Sequence, residues 1–295
     1  MTPESILKNP PKVLKQSLRK KYFSEGFLFL ENMMDKSMLR RLHLKIGQAI
    51  EESRVLKSSN KKFDLEPDHS NELPRLRRLT QPVEYYKIFW EFAKSSIITD
   101  IAEDLLGPDI MFHHSKLNFK WCSGGEEVKW HQDMPFWPHT NDSVLTIGLY
   151  IDDVSTEMGP LGVIPRSHLG PIFDHYNQEG TWTGAISPKR RKSLNLQDAV
   201  YLEGEAGSIT IHHCRTIHGS KPNTHPDQYR PLLLNTFSSA DALPITINPT
   251  PSRYDRYIVR GRPSLNVHME PYNGKLPPYW SKGYTSIFAL QQKDL

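Results

Sequence analysis

Gly207-Ser-Ile-Thr-Ile-His-His-Cys-Arg-Thr-Ile-His-Gly-Ser220 is the stretch on which the fold turns. The β-branched run from Ile209 to Ile211 has the composition of a short strand. The chain then enters a loop that ends in His218-Gly219-Ser220. Working outward, Ser143-Val-Leu-Thr-Ile-Gly-Leu-Tyr-Ile151 and Leu232 to Phe237 read as further strands. From Ile110 to about Ile247 the segments are short, β-rich and separated by Gly, Pro and Asp. Upstream the character is helical. Tyr22 to Leu30 reads as a helix end, a turn at Gly26 and a short strand. Asp35 caps a helix that carries Met38, Leu39, Leu42, Ile46 and Ile50 on one face. Residues 53–75, broken by Pro67 and Pro74, read as a loop. Tyr85 to Leu106 reads as a helix ended by Gly107-Pro108. Residues 248–295 are rich in Pro and Tyr and read as an ordered covering tail. The expectation is one domain over 1–295: an all-β core (110–247), an α-helical N-terminal part (1–108) packed on it, and the tail. No internal repeat occurs.

Composition excludes several classes. A hydrophobic fraction of 37% in 295 residues supports a sizeable core. The net charge of +4 is spread along the chain, with short clusters at Arg75–Arg78 and Lys189–Lys192. These read as solvated loops, not the dense basic face of a nucleic-acid binder. Cys122 and Cys214 are too few for a disulfide framework or a thiolate zinc site. They point to a reducing compartment, here taken as the cytoplasm. No apolar run approaches the ~18 residues of a membrane span, and Met1–Lys21 lacks the apolar stretch of a secretory signal. Arg41-Leu42 with Gln48-Ala49 matches a peroxisomal pattern, but it lies within an amphipathic helix and reads as coincidence. A monomer or homodimer acting on a small molecule is expected, with no nucleic acid and no membrane.

His131-Gln132-Asp133 carries the chemistry. Residues i and i+2 of a strand share a face, so His131 and Asp133 project together and Gln132 points away unless the strand ends there. Alone, His-x-Asp is weak. With His218 at the end of the strand-loop segment, the chain offers two imidazoles and a carboxylate, the facial set of non-haem Fe(II) oxygenases. Three protein ligands leave positions open for a 2-oxo acid and O₂. Arg230 lies 12 residues beyond His218 and opens the next strand, where a guanidinium could pair with the distal carboxylate of 2-oxoglutarate. His212 and His213 are expected to divide between the interior and a neighbouring sheet, His113 and His114 to pack or hydrogen-bond, and His168 to be structural.

Lys129-Trp-His-Gln-Asp-Met-Pro-Phe-Trp-Pro138, Asp152-Asp153-Val154, Glu157-Met-Gly-Pro-Leu-Gly162, Ile164-Pro-Arg-Ser-His168 and Ile217-His-Gly-Ser220 together resemble the phytanoyl-CoA dioxygenase family over roughly residues 20 to 245. The resemblance implies a double-stranded β-helix (jelly-roll) core flanked by helices. It also implies catalysis with Fe(II), 2-oxoglutarate and O₂. By position it implies iron on His131, Asp133 and His218, and 2-oxoglutarate on Gln132, Arg230 and Ser220. Lys116 falls on a strand that lines the co-substrate pocket in the family. Thr146 stands in for a bulky contact that some relatives place at Gly148. Arg75 and Arg78 lie where relatives carry a basic residue near the pocket. Family halogenases replace the carboxylate with a small residue. Asp133 is present here, so hydroxylation or a related oxidation is implied.

The substrate is less legible. Phe136 and Trp137, with Trp121, Trp130, Trp182 and the tail tyrosines, could line an apolar cavity, and Arg78 could reach it. The segment 181–193 could form a lid. The expected substrate is a natural-product or lipid-like metabolite. A cupin-type metal enzyme that does not use 2-oxoglutarate and a non-catalytic binding protein are the alternatives.

Overall fold

A computed structural model describes residues 1–122, 125–280, 284 and 286–291. Parts of the expected tail, 281–283, 285 and 292–295, lie outside the described residues. The chain opens with α1 (Pro3–Lys8), α2 (Gln16–Glu25), β1 (Phe27–Leu30) and α3 (Lys36–Ser53). Next come β2 (Phe63–Leu65), β3 (Leu76–Thr80), α4 (Pro82–Tyr85), α5 (Lys87–Ala93), α6 (Ser96–Leu106) and the long β4 (Ile110–Lys120). Then follow β5 (Val128–His131), β6 (Val144–Tyr150), β7 (Leu161–Val163), α7 (Pro188–Arg191) and β8 (Val200–Leu202). The last elements are β9 (Ile209–His213), β10 (His218–Ser220), β11 (Arg230–Ser239), β12 (Ile258–Arg260) and α8 (Ile287–Gln291).

The strands form two antiparallel sheets. The larger runs β1-β9-β6-β11-β4-β3-β2, with β12 also on β4, and the smaller runs β5-β10-β7-β8. Lys116 and Arg230 of the larger sheet line one cavity with His131 and His218 of the smaller. This is the expected jelly roll.

Strand periodicity divides the larger sheet into two chemistries. Leu145, Ile147 and Leu149 of β6, Ile209 and Ile211 of β9, and Leu233 and Phe237 of β11 point outward. There they join Leu42, Ile46, Phe89, Phe92, Ile101 and Leu105 of the helices in the main core. Residues of opposite parity point inward and are largely polar: Thr146, Thr210, His212, Arg230 and Thr236. A register shift on β4 keeps this pattern, because Thr236 faces His114 while Phe237 faces Phe112. The extra residue, His113, forms a bulge. It lets Phe112 and Leu117 both reach the helical core while His114, Lys116 and Asn118 face inward.

Some elements differ from the sequence reading. Besides the expected short strand β1, the N-terminal part adds β2 and β3 to the larger sheet. Strand β2 lies inside the expected loop, and β12 inside the expected tail. Strands of three to five residues are too short for their alternation to stand out. Tyr85 to Leu106 is not one helix. Tyr86, at φ −135° and ψ 117°, separates α4 from α5, and extended Ser95 caps α6. Asp35 does cap α3, its carboxylate accepting the Ser37 and Met38 amides at 2.8 and 2.9 Å.

The N-terminal region also fixes the loop before His218. Gly26 ends α2 at φ +82°, and a Cβ there would lie 2.4 Å from His168 Nδ1. The Gly26 carbonyl accepts the Thr216 hydroxyl at 2.7 Å and the His213 amide at 2.9 Å. His168 Nε2 bonds the Phe23 carbonyl. The 213–217 loop is thus clamped to the end of α2.

Candidate active site

His131 ends β5, and His218 opens β10 as its direct antiparallel partner. Asp133 lies two residues past the strand. Ligand atoms of the three fall within 4.8 Å of one another, and all three side chains are buried. Each histidine has its tautomer set. His131 Nδ1 lies 2.9 Å from the Lys129 carbonyl, and His218 Nδ1 lies 2.9 Å from the Thr216 carbonyl. A carbonyl accepts only, so Nδ1 carries the proton and Nε2 presents its lone pair. Burial and a neighbouring imidazole keep both rings neutral, with His131 well below the usual range and His218 near 3. Burial alone would raise the pKa of Asp133, but the Lys116 charge and the hydrogen bond from His212 outweigh it and hold the group ionised. Two neutral nitrogen donors and an anionic oxygen fit Fe(II), and the lone pairs are oriented before any ion binds.

Asp133 has an outer support. Its Oδ2 accepts Thr146 Oγ1 at 3.1 Å and His212 Nε2 at 3.2 Å, while Oδ1 lies 3.8 Å from His218 Nε2. Thr146 in turn bonds Thr236 at 2.9 Å. The sheet register aligns His212, Thr146, Thr236 and His114 in one inward-facing row. His212 was not singled out by sequence, because adjacent His212 and His213 give no parity signal on their own. Its nearness to Asp133 predicts that His212→Phe weakens Fe(II) binding about 10–100-fold. Anaerobic Fe(II) titration checks this, and an unchanged affinity would mean that His212 only fills space.

Two cavities meet at the triad. The first is walled by Leu161, Leu232, Leu234, Ile287 and Phe288 and carries Ser220 and Arg230. Arg230 is 3% exposed, and among the described residues its Nε and Nη1 have no hydrogen-bond partner. Burial lowers its pKa to about 10, so it stays charged. A buried, unpaired guanidinium calls for an anion. Behind it Lys120, also missed by sequence, points its ammonium at the Ser220 and Lys221 carbonyls. The second cavity is lined by Arg78, His114, Phe136, Trp137, Thr250 and Tyr284 beside His131 and Asp133. Lys116 borders both cavities.

Four expectations need correcting. Gln132 does not reach a cavity. Its amide donates to the Pro171 and Arg215 carbonyls at 3.2 and 2.7 Å and accepts the Phe173 amide at 2.8 Å. It therefore braces two loops on the far side of the strand. Thr146 lines neither cavity and acts on Asp133. Gly148 is required by packing, since a Cβ there would meet Thr210 Oγ1 at 2.4 Å and Leu234 Cδ2 at 3.0 Å. Arg75 pairs with Asp68 at 2.8 Å outside both cavities. The Lys189–Lys192 cluster sits largely exposed around α7, away from the cavity walls. The described end of the tail, through Tyr284, Ile287 and Phe288, closes the cavities instead.

The phytanoyl-CoA dioxygenase family pattern matches residues 22–231, most of the chain. The chain belongs to the phytanoyl-CoA dioxygenase family. It is 32% identical over 283 residues to the probable alpha-ketoglutarate-dependent hypophosphite dioxygenase of Stutzerimonas stutzeri, covering 93% of this chain and 98% of that one. It is 26% identical over 242 residues to the L-proline trans-4-hydroxylase of Streptomyces griseoviridis, covering 76% and 86%. EctD from S. alaskensis, solved with 2-oxoglutarate and 5-hydroxyectoine, superposes with a TM-score of 0.67 at 21% identity over 90% of this chain and 92% of that one. That likeness supports the fold. Among the described residues no helix is long and apolar enough to cross a membrane.

Proposed function

We propose that this protein is an Fe(II)- and 2-oxoglutarate-dependent dioxygenase that hydroxylates a compact polar molecule. One observation carries the reading: the pre-oriented triad opens onto the same cavity as the unpaired Arg230 guanidinium. His131, Asp133 and His218 would hold the iron. Bound iron would supply O₂ activation coupled to oxidative decarboxylation of 2-oxoglutarate. Overall, substrate, 2-oxoglutarate and O₂ give hydroxylated substrate, succinate and CO₂, with one oxygen atom in each organic product.

The chain's own groups position and exclude. Arg230 would pair with the distal carboxylate through two parallel N–H bonds, and the Ser220 hydroxyl would add a further contact. Leu161, Leu232, Leu234, Ile287 and Phe288 keep water from this pair. Thr146 and His212 hold Asp133 so that one oxygen stays turned to the ion. The unpaired Arg230 argues against a cupin-type enzyme that does not use 2-oxoglutarate, and the neutral, oriented imidazoles argue against a binding protein. Named relatives act on hypophosphite, ectoine and L-proline, and the second cavity carries Arg78, His114 and Lys116 in its wall. Both favour a compact polar substrate over a lipid-like one. Free Cys122 and Cys214 suit the cytoplasm, where the enzyme would work as a monomer or homodimer.

Succinate release from 2-oxoglutarate by Fe(II)-loaded protein under O₂ tests the proposal. Iron-dependent binding of 2-oxoglutarate without any succinate formed, across a panel of small polar acids and amino acids, would sink it.

A further inference from the structure

The second cavity holds two cations that the co-substrate does not need. Arg78 and Lys116 stand on neighbouring antiparallel strands. Arg78 faces Asn118 and Thr80 faces Lys116, which puts both side chains on the inner face one diagonal step apart. Arg78 is 2% exposed, its Nε has no partner among the described residues, and its guanidinium carbon lies 5.7 Å from the centre of the Tyr284 ring. Lys116 makes no hydrogen bond or ion pair among the described residues, and burial lowers its pKa.

Nearby acids are otherwise engaged. Asp64 forms a two-pronged pair with Arg77 at 3.0 and 3.1 Å. Asp133 is a ligand. The charges can then be summed. A divalent ion, the Asp133 carboxylate, the 2-oxoglutarate dianion and Arg230 cancel to zero. Arg78 and Lys116 are left over, both on the wall of the second cavity. Arg78 is met by the neutral Tyr284 hydroxyl and by no acid among the described residues, and two cations on one wall repel unless an anion joins them.

We propose that Arg78 and Lys116 form an oxyanion cradle, so that the substrate is a compact acid anion, either a carboxylate or a phosphorus oxoanion. Its charged oxygens lie on the cradle and its oxidisable X–H bond points toward the triad. The X–H bond becomes X–O–H; O₂ supplies the oxygen and 2-oxoglutarate the two further electrons as it becomes succinate and CO₂. Phe136, Trp137 and Tyr284 fill the other walls and limit the size of the group attached. This inference rests on the dioxygenase reading for its charge sum, and it reassigns Lys116 from the co-substrate to the substrate.

The test is anaerobic calorimetry of the Fe(II)- and 2-oxoglutarate-loaded enzyme with hypophosphite, propanoate and neutral propanamide. At least one anion is expected to bind and propanamide is not. The stronger anion tells phosphorus oxoanion from carboxylate. Lys116→Met and Arg78→Gln are each expected to weaken anion binding about 30-fold or more, in line with loss of one partner of a buried charge pair. Any loss in 2-oxoglutarate affinity should be at least tenfold smaller. Lys116→Met removes no hydrogen bond but does remove a charge that supports Asp133, so the melting temperature and Fe(II) affinity of the variant are measured first, and Arg78→Gln, which leaves Lys116 in place, carries the test if Fe(II) affinity falls. Failure of both anions to bind, or anion affinity unchanged in both variants, would overturn the proposal. So would equal losses for anion and 2-oxoglutarate. A Lys116-dependent rise in melting temperature with anion, in protein that never binds 2-oxoglutarate, would keep the cradle and discard the dioxygenase reading.

Discussion

Asp133→Ala is expected to bring iron-dependent 2-oxoglutarate turnover to background. The fall should exceed the roughly 100-fold that loss of an outer hydrogen-bond partner costs a metal site. The reason lies in the environment of Asp133. It is the one anionic donor of the set, and Thr146 and His212 hold its Oδ2 so that Oδ1, 3.8 Å from His218 Nε2, faces the other ligands. Alanine removes the ligand and strands two outer donors together. It also leaves Lys116 without the opposing charge that supports it. The iron site then has two neutral nitrogens and no charge compensation. Anaerobic Fe(II) titration and succinate release should fall together. Asp133→Asn separates folding from ligation, since it keeps the shape and one oxygen donor and should fold normally while binding iron weakly. Retention of most succinate release in the alanine variant would remove Asp133 from the metal site.

Legibility from sequence followed chain periodicity. His131 and Asp133 could be paired from their spacing, and His218 and Arg230 from their places at the ends of strands. Strand β5 ends at His131, so parity does not reach Gln132; loop contacts fix it instead, its amide bracing Pro171, Phe173 and Arg215. Position in a motif implied a co-substrate contact, and only the folded loops show where the amide goes. His212 stayed hidden because it borders His213, and only the pairing of β9 with β6 tells which ring faces Thr146. The bulge at His113 hid the inward row of β4 in a similar way. A one-residue slip flips every side chain beyond it, and nothing local marks the slip. Lys120 is a different case. A buried lysine aimed at two carbonyls depends on a contact 100 residues away, which no local pattern can carry. The short strands β2 and β12 form because β3 and β4 offer them edges to pair with, so their cause lies in other segments.

Arg230→Met is expected to raise the KM for 2-oxoglutarate by about 30-fold to several thousand-fold, the range for truncating one side of a buried charge pair. Fe(II) affinity should change little, since Arg230 touches no ligand. Stability should hold or rise. Arg230 pairs with Lys120 in the β11–β4 register and acts on it as a like charge, and the Arg230 Nε and Nη1 are buried without partners. The unliganded protein therefore bears the desolvation of a cation offset, among the described residues, only by the Tyr150 hydroxyl, and an apolar side chain of similar length relieves it. A structural arginine would behave in the opposite way, losing stability on replacement. The sharper readout is discrimination. The wild type should strongly prefer 2-oxoglutarate to 2-oxobutanoate, which keeps the chelating 2-oxo acid and lacks the distal carboxylate. Arg230→Met should bring the two close together, because the carboxylate loses its partner while the chelating end is untouched. A variant that melts lower, or that keeps the full preference, would move Arg230 out of the co-substrate site and leave the first cavity without an anion anchor.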